Sequence, residues 1–239
     1  MMAGNVRLLG TRKMVTMFDA IIFDWDGVLV DSHIIIVTAY QQTLREANID
    51  ISKEYIERHI GMGTEEIFRD ILRETSQLVD DALVKRLAET KNQKLANLNG
   101  QVQFFPNAID LLEAVKDKVK VGLATMNIKN IVDSLVNTMG VERYFQTIIT
   151  ADIVKQPKPN AEIFLKCAQQ LNLSPEKCIV VEDSLFGVKA AKAAGMHCIA
   201  VTTGKYNKKE LQQEKPDTIV TNLQQVKNYL LNILNSTVV

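Results

Sequence analysis

Cysteine is scarce in this sequence, and the three that occur, Cys167, Cys178 and Cys198, are widely spaced and odd in number. That pattern offers neither a disulfide framework nor a zinc-ligand cluster, and it fits buried structural thiols in a reducing compartment. An excess of charge of either sign is also missing, because 28 Lys and Arg face 28 Asp and Glu. A nucleic-acid binder normally carries a basic face, so the balance argues against nucleic acid as a partner. No apolar run approaches the roughly 18 residues of a membrane span. The residues before Met17 hold Arg7, Arg12 and Lys13 but no continuous apolar stretch of the secretory kind. The expectation is a cytoplasmic protein without a membrane partner, with residues 1–16 as a flexible extension. Internal repeats and low-complexity tracts are absent as well.

What is present is a chain of 239 residues, 46% hydrophobic, enough for one large domain or a core with a smaller companion. A short apolar run at residues 20–23 stops abruptly at acidic residues and Gly27, as expected of a strand buried on both faces of a parallel sheet. Similar runs recur at 119–124, 147–150, 178–181, 198–201 and 218–220. Helical spacing of apolar residues separates them at 110–116, 131–139, 161–171 and 185–194. Strands alternating with helices predict a doubly wound, Rossmann-like α/β sheet, whose ligands bind at the carboxyl ends of the strands.

Residues 33–102 break the alternation. The pattern there predicts helices at 35–47, 53–59, 64–73 and 80–98 with no strand among them. The predicted organisation is a core of residues 17–32 and 103–239 with an all-helical cap of residues 33–102 inserted after the first strand. The second linker falls near residues 100–107, where Pro106 interrupts the chain.

The most specific segment is Asp24-Trp25-Asp26-Gly27-Val28-Leu29-Val30-Asp31-Ser32. Two carboxylates at i and i+2 leave a buried strand, and crowding them there is unfavourable unless a cation sits beside them. An EF-hand loop needs Gly at its sixth position and Glu at its twelfth. Counted from Asp24 those positions are Leu29 and Ile35, so a calcium loop is excluded. Strand alternation turns Trp25 away from the two carboxylates and into the core. His33, His59 and His197 share no metal-ligand spacing and read as structural or surface residues. The Gly61-Met62-Gly63 stretch fits either a loop facing a ligand or a simple helix-breaking turn.

The acidic segment resembles the first motif of the haloacid dehalogenase superfamily, and three further elements of that family follow in order. They are Val121-Gly122-Leu123-Ala124-Thr125-Met126-Asn127, then Pro157-Lys158-Pro159-Asn160-Ala161-Glu162-Ile163-Phe164, then Val180-Val181-Glu182-Asp183-Ser184-Leu185-Phe186-Gly187-Val188. The resemblance runs from Met17 nearly to the last residue. It implies a Mg²⁺-dependent phosphatase of small phosphorylated metabolites. Asp24 is then the nucleophile that becomes an aspartyl phosphate, and Asp26 the general acid and base. Mg²⁺ is held by Asp24, the carbonyl of Asp26 and Asp183, with Glu182 acting through water. The phosphate is held by the Thr125 hydroxyl, the amides of Met126 and Asn127 at a helix N-terminus, and Lys158. Lys155 competes with Lys158 for this role, but Lys-Pro before Glu-Ile-Phe matches the family register. The family's usual second proline is Ala161 here, which bears on how the following helix starts more than on chemistry.

The implied subfamily is the phosphoglycolate phosphatase-like group, whose members act on phosphoglycolate, sugar phosphates, nucleotides or pyrophosphate. A phosphosugar mutase of the β-phosphoglucomutase kind shares core and cap. Such mutases usually carry a His just after the first motif, where this chain has Ile34-Ile35-Ile36 with His33 adjacent. A non-catalytic regulatory or binding module is the third reading, although no expected catalytic residue is missing. The sequence leaves the state as monomer or homodimer.

Overall fold

A computed structural model describes residues 17–235, so the predicted extension over residues 1–16 lies outside the described residues. Six parallel strands form the central sheet: β1 (Ala20–Phe23), β4 (Lys120–Ala124), β5 (Thr147–Ile149), β6 (Cys178–Glu182), β7 (His197–Val201) and β8 (Thr218–Val220). Their spatial order is β5-β4-β1-β6-β7-β8, which puts β1 at the centre. Phe23 is level with Leu123 on one side and Val181 on the other. The same register therefore brings the residues after β1, β4 and β6 together at one sheet edge.

The pleat sorts the core into two layers. Ile21, Phe23, Val121, Leu123, Ile179 and Val181 face helices α5 (Ala108–Val115), α6 (Lys129–Thr138) and α10 (Leu223–Asn235). Ala20, Ile22, Val180, Cys198 and Ala200 face α7 (Glu162–Gln170) and α8 (Leu185–Ala193). All three cysteines are buried and unpaired in this second layer, as expected. Trp25 is fully buried, with its ring edge-on to Phe104 at 6.3 Å.

Between β1 and β4 the chain forms the helices α1 (His33–Glu46), α2 (Lys53–His59), α3 (Thr64–Glu74) and α4 (Asp81–Leu98), with no strand of the main sheet among them. Ser52 caps α2 by accepting from the Tyr55 amide, and Asp80, the first residue of the predicted helix, caps α4 from just outside it by accepting from the Leu83 amide. Ile56, Ile67, Phe68, Ile71, Leu72, Val84 and Leu87 are buried in this block and continue the apolar cluster on the α5, α6 and α10 face of the sheet.

Two features were not predicted from sequence. The first is an antiparallel pair, β2 (Val30–Asp31) with β3 (Gln103–Phe104), at the two connections to the helical block. Strands of two residues are too short to show a period of two. The second is the short helix α9 (Lys208–Leu211) together with α10 beyond β8, where the periodic signal is diluted by polar residues.

Candidate active site

The carboxyl edge of β1, β4 and β6 collects the predicted residues. Asp24 follows β1 directly, its amide donating to the Val181 carbonyl at 3.0 Å. The Lys158 ammonium, 1% exposed, lies 2.7 Å from Asp24 Oδ1 and 2.7 Å from Glu182 Oε1. Lys155 is exposed and sends only its backbone amide to Glu162, so the geometry selects Lys158. The Ala161 end of this loop lacks a side-chain cap, and Asn160 supplies one by accepting from the Glu162 amide.

Glu182 is completely buried. Its Oε2 accepts from the amides of Asp183 (2.8 Å) and Ser184 (2.9 Å) and from the Ser184 hydroxyl (3.1 Å). With Oε1 on Lys158, both oxygens have donors, and the side chain fixes its neighbours rather than reaching outward. Asp183 is wedged between two glycines. A Cβ at Gly27 would stand 2.2 Å from Asp183 Oδ2, and one at Gly204 only 1.9 Å. Gly27 also has φ +79°, which favours glycine.

Asp24, Glu182 and Asp183 place carboxylate oxygens within 4.8 Å of one another, a group that can hold a metal ion. Two of these carboxylates, Asp24 and Glu182, bond the buried Lys158 ammonium, and Asp183 adds a third negative group beside them. Burial pushes the Asp24 carboxyl up to about 8, with Lys158 opposing and Glu182 and Asp26 adding to it. Burial, then Glu182 and Asp24, push Asp183 well above the usual carboxylate range. Lys158 is held above its ordinary value because Asp24 and Glu182 overcome the effect of its burial. Surplus buried negative charge of this kind is what a bound cation relieves.

Asp26 accepts from the Ser32 hydroxyl, from Asn127 Nδ2 at 2.5 Å and from Thr125 Oγ1 at 3.4 Å. Burial raises its carboxyl, against the pull of Ser32 and Lys91. Thr125 is fully buried, and its hydroxyl oxygen accepts the Asn127 amide at 3.2 Å. Met126 and Asn127 sit in the loop that leads into the N-terminus of α6, whose N-cap is Ile128.

The cap closes over these groups. A cavity of about 40 Å³ is bounded below by Asp24, Asp26, Asn127 and Lys158, and above by Ile36, Tyr40, Met62 and Lys91. The Gly61-Met62-Gly63 loop faces this cavity. Gly61, at φ +109°, lies so close to Ser184 that a Cβ would come within 2.7 Å of its hydroxyl. Ile36 lines the cavity, whereas His33 pairs with Glu57 at 3.1 Å. His59 donates to the Tyr55 carbonyl, and His197 pairs with the Tyr229 hydroxyl, so all three histidines have structural partners.

Lys91 was not singled out by sequence. It is 3% exposed, lies over the Tyr40 ring at 5.1 Å, and reaches Asn92 at 3.3 Å and Thr64 at 3.5 Å. No carboxylate among the described residues is within ion-pair distance of it, and burial pushes it down to about 8 against the pull of Asp26. A signal existed in the buried stripe Val84, Leu87, Ala88, Lys91 and Leu95 on α4, where a lysine occupies the apolar face.

Residues 21–201 match the family described as haloacid dehalogenase-like hydrolase. The phosphorylated carbohydrates phosphatase of Thermotoga maritima is 30% identical over 219 residues, covering 90% of this chain and all of that one. The chain belongs to the haloacid dehalogenase-like hydrolases. The fructose-1-phosphate phosphatase of Escherichia coli is 28% identical, covering 79% of this chain and 98% of its own. The crystal structure of β-phosphoglucomutase from Clostridium difficile superposes with a TM-score of 0.81 at 30% identity, covering 92% and 98% of the two chains. Within the family this hydrolase is a phosphoric monoester hydrolase, as its phosphatase relatives are.

Gly187 gives one test of the site's packing. A Cβ there would fall 1.7 Å from Glu182 Oε1, in the first turn of α8. Gly187→Ala is expected to cost about 1–3 kcal/mol through overpacking. Thermal melting should fall by roughly 2–4 °C per kcal/mol in a chain of this size. An unchanged melting temperature would mean that Glu182 is not held as described.

Proposed function

We propose that this hydrolase is a Mg²⁺-dependent phosphatase of small phosphorylated metabolites, phosphoglycolate-like or sugar phosphate monoesters, acting through a phosphoryl group on Asp24. The observation that carries the reading is the convergence of Asp24, Asp26 and Lys158 on one small capped cavity beside an acidic cluster. Asp24, the Asp26 carbonyl and Asp183 would hold Mg²⁺, with Glu182 behind them. When bound, the cation offsets the surplus carboxylate charge and polarises phosphoryl oxygens.

The chain's own groups then divide the work. A carboxylate oxygen of Asp24 attacks phosphorus as the ester P–O bond breaks. Asp26, whose burial favours the protonated form, gives its proton to the departing oxygen. It next takes a proton from the water that cleaves the aspartyl phosphate, releasing inorganic phosphate and restoring Asp24. Thr125, Met126, Asn127 and Lys158 hold the phosphate oxygens, Lys158 offsetting the charge that builds on them. Residues 33–102 act as the lid over a core of residues 17–32 and 103–239, swinging about the β2–β3 pair and excluding water until transfer is complete.

The relatives named for carbohydrate phosphates and fructose 1-phosphate support a small phosphate ester as substrate. The mutase reading draws on the β-phosphoglucomutase likeness, but the cavity position after the first motif is filled by Ile36 and not by a histidine. Phosphoglycolate, sugar phosphates, nucleotides and pyrophosphate should be assayed for phosphate release with Mg²⁺ and with EDTA. Release from at least one ester, lowered at least about 100-fold by EDTA, is the expected result. Interconversion of phosphosugar isomers without release would favour the mutase. Neither activity would leave a regulatory module.

A further inference from the structure

The segment after β7 touches the candidate cation site with one end and the cap with the other. Near its start, Thr203 donates its hydroxyl to the Gly27 carbonyl, and Gly204 passes so near the Asp183 carboxylate that a Cβ there would meet it. Two residues further, Tyr206 donates its hydroxyl to the Arg58 carbonyl at the end of α2. The Arg58 guanidinium covers the Tyr206 ring at 4.7 Å and reaches Glu210 Oε1 at 2.7 Å. Lys205 adds a contact to Glu57 of α2 at 3.2 Å.

The gripping end is itself braced. Glu210 Oε2 accepts the Asn207 amide while Asn207 caps the amides of Lys209 and Glu210, a reciprocal capping box at the start of α9. Exposed ion pairs are weak when alone, but Tyr206 is only 4% exposed. Opening the cap at α2 would uncover an aromatic ring and break its hydroxyl bond together with the cation–π contact. The loop that follows α2 carries Gly61 and Met62 over the cavity, so the position of α2 sets the cavity's roof.

We propose that residues 202–210 form a strap that couples cation binding at Asp183 to closure of the helical cap, with Arg58 and Tyr206 as positioning residues. Neither Gly27 nor Gly204 leaves room for a Cβ beside the Asp183 carboxylate, so the place of that carboxylate at a cation and the path of the strap backbone constrain each other. The strap transmits that constraint to α2 through Tyr206 and Arg58. Coupling of this kind is reciprocal, and closing the cap therefore tightens the cation site by the same factor. The inference rests on the metal part of the proposed function.

The test uses the full chain and Mg²⁺ alone, at matched ionic strength and without substrate. Mg²⁺ should slow amide exchange in α2 by at least about fivefold, the lower end of measured coupling between sites. Tyr206→Phe keeps the ring and removes only the hydroxyl bond, while Arg58→Ala removes the guanidinium. Each should weaken Mg²⁺ binding by about five- to tenfold, read by titration calorimetry or by fluorescence of the single tryptophan, Trp25. Arg58→Lys, which keeps the charge toward Glu210, should recover part of the loss. Mg²⁺ binding without slower exchange in α2, or variants whose affinity stays within twofold, would overturn the strap and leave the phosphatase reading standing. If Mg²⁺ does not bind at all, the strap fails together with the metal assignment.

Discussion

Asp24→Asn is expected to remove phosphate release from every ester tested, lowering kcat by at least about 10⁴-fold, the scale seen when a covalent nucleophile is deleted. The amide is nearly isosteric, so the cavity, the Thr125–Asn127 loop and Lys158 stay in place while the attacking oxygen loses its charge. A variant that kept more than a few per cent of wild-type turnover would place the covalent step elsewhere. The same substitution has an opposite expected effect on stability without metal. In the wild type the folded-state carboxyl of Asp24 is raised, by burial before all else, from 3.8 to about 8. The folded protein therefore binds more protons than the unfolded chain across that interval, and its stability falls as pH rises. The contribution of this group is fully present below about pH 4 and is lost as pH climbs through about 8. In EDTA at pH 8, Asp24→Asn should melt above the wild type, and the gap should close toward pH 4. A lower melting temperature at pH 8 would show that the Lys158 ion pair outweighs the strain of crowded carboxylates. Stability given up for chemistry is a common property of active sites.

The elements that proved legible in sequence were those whose neighbours do not matter. Strands buried on both faces announce themselves as apolar runs, and the six predicted ones coincide with the six of the sheet to within a residue or so at each end. The site was legible for a related reason. In a parallel sheet the informative residues follow strand ends, so the strand pattern alone groups Asp24, Thr125 and Asp183 at one edge. The two-residue hinge strands are not legible in this way, because pairing across some seventy intervening residues leaves no local signal. Asn127 shows the limit within a recognised motif: its side chain, rather than its amide, reaches Asp26, a contact set by a turn that Thr125 closes. Lys91 was hidden because a lysine on a helix is ordinarily a surface residue. Only the packing of α1 on α4 makes it an inward-facing cation. Tyr206 and Arg58 were hidden more completely, since 148 residues separate the partners of their hydrogen bond.

Lys158→Met should reduce activity and stability together, unlike the change at Asp24. Among the described residues the ammonium is the single cation bonded to both Asp24 and Glu182, and at 1% exposure it is shielded from solvent. Removing one partner of a buried ion pair leaves uncompensated charge and costs about 3–5 kcal/mol. For a chain of this size that is a fall in melting temperature of roughly 6–20 °C in EDTA. Loss of the charge that supports the transferring phosphoryl group should lower kcat by about 10²–10³-fold. The pH dependence follows from the same geometry. Lys158 lowers the proton affinity of both Asp24 and Asp183, so without it their carboxyls rise further. The folded state then holds extra protons over a wider range, and the variant's stability deficit should grow from pH 5 to pH 8. Mg²⁺ should recover part of the lost stability by supplying positive charge to the same carboxylates, yet little of the lost rate, because Lys158 also offsets charge on the transferring phosphate in the proposed function. A variant that melts with the wild type at pH 8 in EDTA would mean that the Lys158 ammonium does not offset the buried carboxylates as described. The case for a cation at this site would then lose its electrostatic basis.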